Sequence, residues 1–139
     1  MFKKLTITAA TVAAAAATTL TMAAPAHAGS TVYAENNNSC AGVWFEPDGD
    51  NFGFKDFCAD GMGVYMEMTK PTGGTPSTSD SKIFKSYATS YNGSLDWYSG
   101  DVVWNQDYTE GYCFLYRVGL RKDGAYVSGT YGSWHLACA

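Results

Sequence analysis

The feature that most constrains this chain is a hairpin in its last third. Tyr112 to Cys138 reads as two alternating runs, YCFLYRVGLRK and AYVSGTYGSWHLAC, joined by Asp123-Gly124. Asp-Gly between such runs specifies a two-residue type I′ turn, because both central residues must take positive φ. The turn pairs Lys122 with Ala125 and sets the register outward from there. One face then carries Phe114, Tyr116, Val118 and Leu120 opposite Ser133, Tyr131, Gly129 and Val127. The other carries Arg117 opposite Thr130 and Arg121 opposite Tyr126. One apolar and one polar face are expected of an antiparallel sheet with one side buried. The same register sets Cys113 opposite Trp134. Cys138 lies four residues further along, about 13 Å if extended, which is beyond disulfide reach. A Cys113–Cys138 bridge therefore requires a bend between Trp134 and Cys138.

A second hairpin is expected from Cys40 to Cys58, around the turn cluster Pro47-Asp48-Gly49-Asp50-Asn51. Centring it on Gly49 pairs Glu46 with Phe52, Trp44 with Phe54 and Cys40 with Cys58. Directly opposed cysteines lie within disulfide range, so this register predicts a Cys40–Cys58 bridge with Trp44 and Phe54 on one face. Cys113–Cys138 follows by elimination, and the other two connectivities remain open. Asp60-Gly61 reads as a further two-residue turn. Beyond it Met62, Val64, Met66 and Met68 alternate with Gly63, Tyr65, Glu67 and Thr69, which predicts a three-stranded meander. Lys55 falls on the apolar side of that meander, where it must snorkel from an edge unless the register is shifted by one.

Residues 1–28 read as a secretory signal: Lys3 and Lys4, an Ala/Thr-rich stretch, then Ala26-His27-Ala28 as a small-x-small cleavage site. Ala and Thr are poor substitutes for Leu, Ile and Val in a membrane span, so no membrane association is expected. Removing Lys3 and Lys4 takes the net charge from −4 to −6. With no basic stripe on an acidic chain, nucleic acid is not an expected partner. The 4 cysteines all follow the signal and lack a C-x₂₋₄-C pair, which argues for two disulfides in an oxidising compartment rather than for zinc.

Residues 29–39 read as a flexible extension. Thr31, Val32 and Tyr33 within it form a short β-prone run suited to adding a strand to a partner's sheet edge. Residues 40–139 read as a single β domain. Lys70 to Ser81, rich in Pro, Gly and Ser, is expected to be a flexible loop within it. Strand resumes at Ile83 to Thr89, Asn92-Gly93 marks another hairpin pairing Tyr87 with Tyr98, and Val102 to Trp104 forms a short strand. No helical period is sustained after the signal. The prediction is an all-β antiparallel sandwich or small barrel of about seven or eight short strands.

No catalytic constellation is visible. His135 is the only histidine after the signal, and no G-x-S-x-G occurs. Glu46, Asp48, Asp50 and Asp56 cluster in sequence, but the EF-hand spacing fails, which makes turn chemistry the first reading and leaves weak calcium binding by the 46–56 loop and a glycosidase-type carboxylate pair as the alternatives. The chain is expected to be non-enzymatic and to need no cofactor. It holds 10 Tyr, 4 Trp and 7 Phe, more than a domain of this size needs for its core. Exposed Tyr and Trp favour binding surfaces. Trp97, Tyr98, Trp104 and Tyr126, with Tyr108, are the candidates, for another secreted protein or for a glycan.

The signal ending in Ala-His-Ala, the extension before Cys40 and the Gly/Tyr-rich hairpin ending one residue after Cys138 resemble the small secreted two-disulfide β proteins of filamentous actinobacteria. In size and layout the chain is similar to the adaptor subunit of the Streptomyces umbrella toxin particles. That resemblance implies a non-enzymatic protein that joins a repeat-containing scaffold to a lectin-bearing subunit, using its N-terminal extension on one partner. Small secreted inhibitors of extracellular hydrolases share the layout. For such an inhibitor Pro47 to Asn51 would be the presenting loop.

Overall fold

The computed structural model describes residues 30–87 and 102–139. The signal segment, the Asn92-Gly93 turn, Trp97 and Tyr98 lie outside the described residues. Nine strands are described, in two antiparallel sheets. The first sheet has the order β1 (Val32–Glu35), β2 (Ala41–Glu46), β3 (Asn51–Asp56), β6 (Val102–Asn105). The second has the order β5 (Lys82–Tyr87), β4 (Gly63–Thr69), β7 (Cys113–Lys122), after which β8 (Ala125–Tyr126) and β9 (His135–Cys138) both pair with β7. The fold is all-β, as expected, and of the sandwich type. Among the described residues no helix is long and apolar enough to cross a membrane.

Alternation drives each strand to bury one row. Ala34, Ala41, Val43, Phe45, Phe52 and Phe54 from the first sheet meet Val64, Met66, Met68, Phe114, Tyr116, Val118 and Leu120 from the second in one core. Phe45 meets Phe114 edge-on at 5.0 Å. Tyr116 is fully buried, and its hydroxyl donates to the Val32 carbonyl at 2.7 Å. A buried hydroxyl without that acceptor would cost about 1–3 kcal/mol, so this bond ties β1 to the second sheet.

The first hairpin is shifted one residue from its expected register. Glu46 pairs with Asn51 and Trp44 with Gly53. The reason is the turn, which closes over Pro47 to Asp50, with Gly49 (φ 92) and Asp50 (φ 52) both left-handed. Phe52 and Phe54 therefore face inward with Phe45 and Val43, while Trp44 and Lys55 take the opposite face, both buried there. Trp44 and Phe54 do not share a face, and Lys55 is not on the apolar side. The Cys40–Cys58 disulfide still forms, with Cα atoms 4.9 Å apart, although Phe57 rather than Cys58 lies beside Cys40 and donates to its carbonyl, because a slip of one residue leaves Cys58 within disulfide reach.

The predicted meander does not form. β4 pairs with β5 and β7, not β3. Asp60-Gly61 is the corner between sheets: Asp60 Oδ1 accepts from the Met62 amide at 2.9 Å, and Gly61 takes φ 72.

The Asp123-Gly124 turn is as read, with Lys122 opposite Ala125 and Arg121 opposite Tyr126. Beyond Val127 the register changes: Tyr116 faces His135 and Cys113 faces Cys138. The bend expected between Trp134 and Cys138 is absent, since His135–Cys138 is regular strand. The excursion comes earlier, across 127–134. There the Thr130 hydroxyl accepts from the Leu120 amide at 2.9 Å and donates to the Val127 carbonyl at 2.7 Å. This loop absorbs four residues, so Cys113 and Cys138 meet directly, Cα to Cα 4.0 Å.

Two segments expected to be flexible are engaged. Val32–Glu35 is an edge strand of this chain's own sheet, paired along its length with β2. The 70–81 loop is anchored by a two-way bridge between Thr72 and Cys113 and by Ser77 and Asp80, which bond to each other.

Candidate functional site

The outer face of the second sheet gathers the side chains that alternate with its core residues. On β4 these include Tyr65 and Glu67. On β7 they include Leu115, Arg117 and Gly119. The register sets Glu67 opposite Arg117 and Tyr65 opposite Gly119, and places Phe84 of β5 beside Glu67. Leu136 of β9 stands opposite Leu115.

At the centre, Arg117 Nε donates to Glu67 Oε2 at 2.7 Å, and its Nη2 lies 2.6 Å from the same oxygen. Glu67 is buried, so the contact is a charge-assisted bond removed from most solvent screening. The guanidinium also stands 3.9 Å over the Tyr131 ring and 4.5 Å over the Trp134 ring. Tyr131 stacks on Tyr126 at 4.1 Å with 17° between planes. Tyr65 closes the group, 5.6 Å from Tyr126 and 6.1 Å from Phe84.

Gly119 makes this possible. A Cβ there would stand 2.8 Å from the Tyr126 ring and 3.0 Å from the Tyr131 ring. The missing side chain is the space in which the stacked tyrosines sit. Burial first, then the Glu67 carboxylate, pushes the Tyr131 phenol above its ordinary value.

Phe84 is 52% and Leu136 55% exposed, so two apolar side chains stand out beside a rigid Tyr/Trp/Arg group. That composition is the one enriched at protein interfaces. The ring faces are largely taken. Tyr126 and Arg117 each lie within about 4 Å of the Tyr131 ring centre and must cover opposite faces, since both cannot stand over one. A sugar ring would find no open Tyr131 face on which to stack.

The residues singled out from sequence are dispersed. Tyr126 lies on this face. Trp104 does not: it stacks on Phe52 at 5.1 Å, with Lys85 Nζ 4.3 Å over its ring. Tyr108 packs against Phe45, Phe52 and Phe114 at the core margin. Burial and the Asp50 carboxylate push its phenol upward. Val32 packs on the core, Thr31 is half-buried just before β1, and Tyr33 takes the outward side of that strand, opposite Trp44. Trp97 and Tyr98 lie outside the described residues.

Two residues of the acidic sequence cluster, Asp50 and Asp56, hold backbone amides. Asp50 Oδ2 accepts from the Tyr108 amide at 2.7 Å, and Asp56 Oδ1 from the Cys58 amide at 3.1 Å. Among the described residues the one group with metal-ligand proximity is Cys40, Cys58 and Asp60, and its sulfurs are joined in the disulfide. Tyr65, Glu67 and Arg117 were legible from alternation as outward-facing. Phe84, Tyr131 and Trp134 were missed, because only the β4–β7 pairing and the 127–134 loop bring them together.

Comparison of the chain with protein-family models, curated proteins and solved structures returned no match.

Proposed function

We propose that this chain is a secreted, non-enzymatic binding module that docks another extracellular protein on the outer face of its second sheet. The observation that carries the reading is the Arg117-centred aromatic group flanked by exposed Phe84 and Leu136. Two disulfides fit an oxidising compartment. An adaptor in an extracellular assembly, as in the umbrella toxin particles that the chain resembles, is the role this supports best. Strand donation by residues 31–33 fits less well, because Val32 and Tyr33 already pair within the chain's own sheet.

The inhibitor reading is weaker, since only Asp48 and Gly49 of the Pro47–Asp50 turn are exposed, too little to fill a hydrolase cleft. The test is affinity capture from culture supernatant with the oxidised protein and its Phe84→Ala/Leu136→Ala variant. Both side chains are more than half exposed, so the fold should survive. The expected result is loss of the captured partner. Equal capture by both proteins would refute docking through this face.

A further inference from the structure

A second site lies where β1 meets the 127–134 loop. It is a groove of about 610 Å³ lined by Tyr33, Glu35, Asn37, Tyr131, Ser133 and His135. Its walls are fixed by backbone. A Cβ on Gly132 would stand 2.0 Å from the Glu35 carbonyl oxygen, so only glycine allows the loop this close to β1. The Gly132 amide donates to the Val118 carbonyl at 2.9 Å. The Asn37 side-chain amide donates to the Gly129 carbonyl at 2.6 Å.

We propose that this groove binds a neutral saccharide of one or two rings. Its volume falls in the range of small-ligand sites, roughly 300–1,000 Å³. The Glu35 carboxylate, the Ser133 hydroxyl and the His135 imidazole line it, and none makes a side-chain hydrogen bond among the described residues. They offer acceptors and donors that the fold leaves unused. A carboxylate can accept from two neighbouring sugar hydroxyls, and the Tyr33 ring supplies apolar surface for C–H groups. Glu35 with no Lys or Arg in the lining disfavours an anion, and a lining whose polar and apolar surfaces are about equal matches the mixed C–H and O–H surface of a sugar. This site shares Tyr131 with the outer face but includes neither Phe84 nor Leu136, and it does not depend on protein docking there.

The test is an NMR titration of the oxidised protein with methyl glycosides and disaccharides of glucose, galactose, mannose and N-acetylglucosamine. Nα-acetyl-lysine amide and inorganic phosphate serve as comparators. The expected result is that one sugar series shifts the Tyr33, Glu35, Ser133 and His135 signals at millimolar concentration. Glu35→Gln should weaken that binding about tenfold, the loss of one charge-assisted hydrogen bond, with unchanged Tm. Ser133→Ala, at an exposed position, should weaken it too, and Phe84→Ala/Leu136→Ala should leave it intact. No shift with any sugar, shifts by the lysine amide or phosphate alone, or unchanged affinity in both groove variants would overturn the assignment.

Discussion

Arg117 concentrates the chemistry of the second sheet's outer face, the proposed docking surface, in one side chain. It neutralises the buried Glu67 carboxylate and covers two aromatic rings. Lysine can do the first but lacks the planar fork needed for the second. Arg117→Lys should therefore keep the fold, lower stability by about 1 kcal/mol, and weaken partner capture. Arg117→Ala should cost more, about 2–3 kcal/mol, because it leaves Glu67 buried and unpaired. Chemical denaturation of both variants checks the order. No loss in the Lys variant would mean that the stacking contributes nothing, and equal losses in both would mean that the charge pairing with Glu67 contributes nothing. Gly119→Ala approaches the same group from below. Its Cβ would overlap both tyrosine rings, which lie on the surface and can shift, so about 1–2 kcal/mol of strain is expected. A changed near-UV circular dichroism spectrum with an unaltered far-UV spectrum would mark a disturbed tyrosine stack on an intact sheet.

Among the elements, the 127–134 loop decides the most. It changes the partner register of β7, fixes which residues β9 opposes, and forms one wall of the groove. Thr130 holds it by accepting from Leu120 and donating to Val127. Thr130→Ala should leave the Leu120 amide without its acceptor and cost about 1–3 kcal/mol, whereas Thr130→Ser should retain most of that. The check is amide hydrogen exchange at Leu120, which should accelerate in the alanine variant only. Uniform acceleration along β7 would instead mean that the strand loosens as a whole. β1 is the other decisive element. Its pairing with β2 and its bond to Tyr116 make it part of the sandwich, so truncation before Ala34 should lower Tm rather than merely remove a tether.

For the whole molecule, two disulfides, the buried Tyr116 and the partly buried Tyr108 bear on stability. Each bridge closes a loop of moderate length, with separations of 18 and 25 residues, and should contribute about 3 kcal/mol. The interior adds a dependence on alkaline pH. Burial first, then Tyr33, pushes the Tyr116 phenol above its ordinary 10.0, and Tyr108 is raised chiefly by burial. The folded chain thus holds these protons more tightly than the unfolded chain. The resulting stability is fully present below pH 10 and is lost as pH rises beyond it. The share of tyrosinate absorbance removed by Tyr116→Phe should appear together with loss of near-UV circular dichroism, in one cooperative transition above that pH. Appearance of that share with the fold intact would show that the Tyr116 phenol is accessible.

Alternation, turn chemistry and cysteine count determined what local physics can determine. The all-β class, the Asp123-Gly124 turn, the buried row Phe114, Tyr116, Val118 and Leu120, and the outward positions of Tyr65, Glu67, Arg117 and Tyr126 follow from a period of two and a turn that demands positive φ. Cys40–Cys58 was also legible, although by a register one residue out, because a one-residue slip still leaves the two cysteines within reach. What only the tertiary structure decided are the non-local pairings. β4 lies against β7 across some fifty residues of chain, and no local signal in either strand names the other. The 127–134 excursion is held by Thr130 and by the close approach of Gly132 to Glu35, contacts that exist only once both sheets are in place. The aromatic group on the outer face and the groove arise from those two events. Sequence supplied their side chains, and long-range packing brought them together.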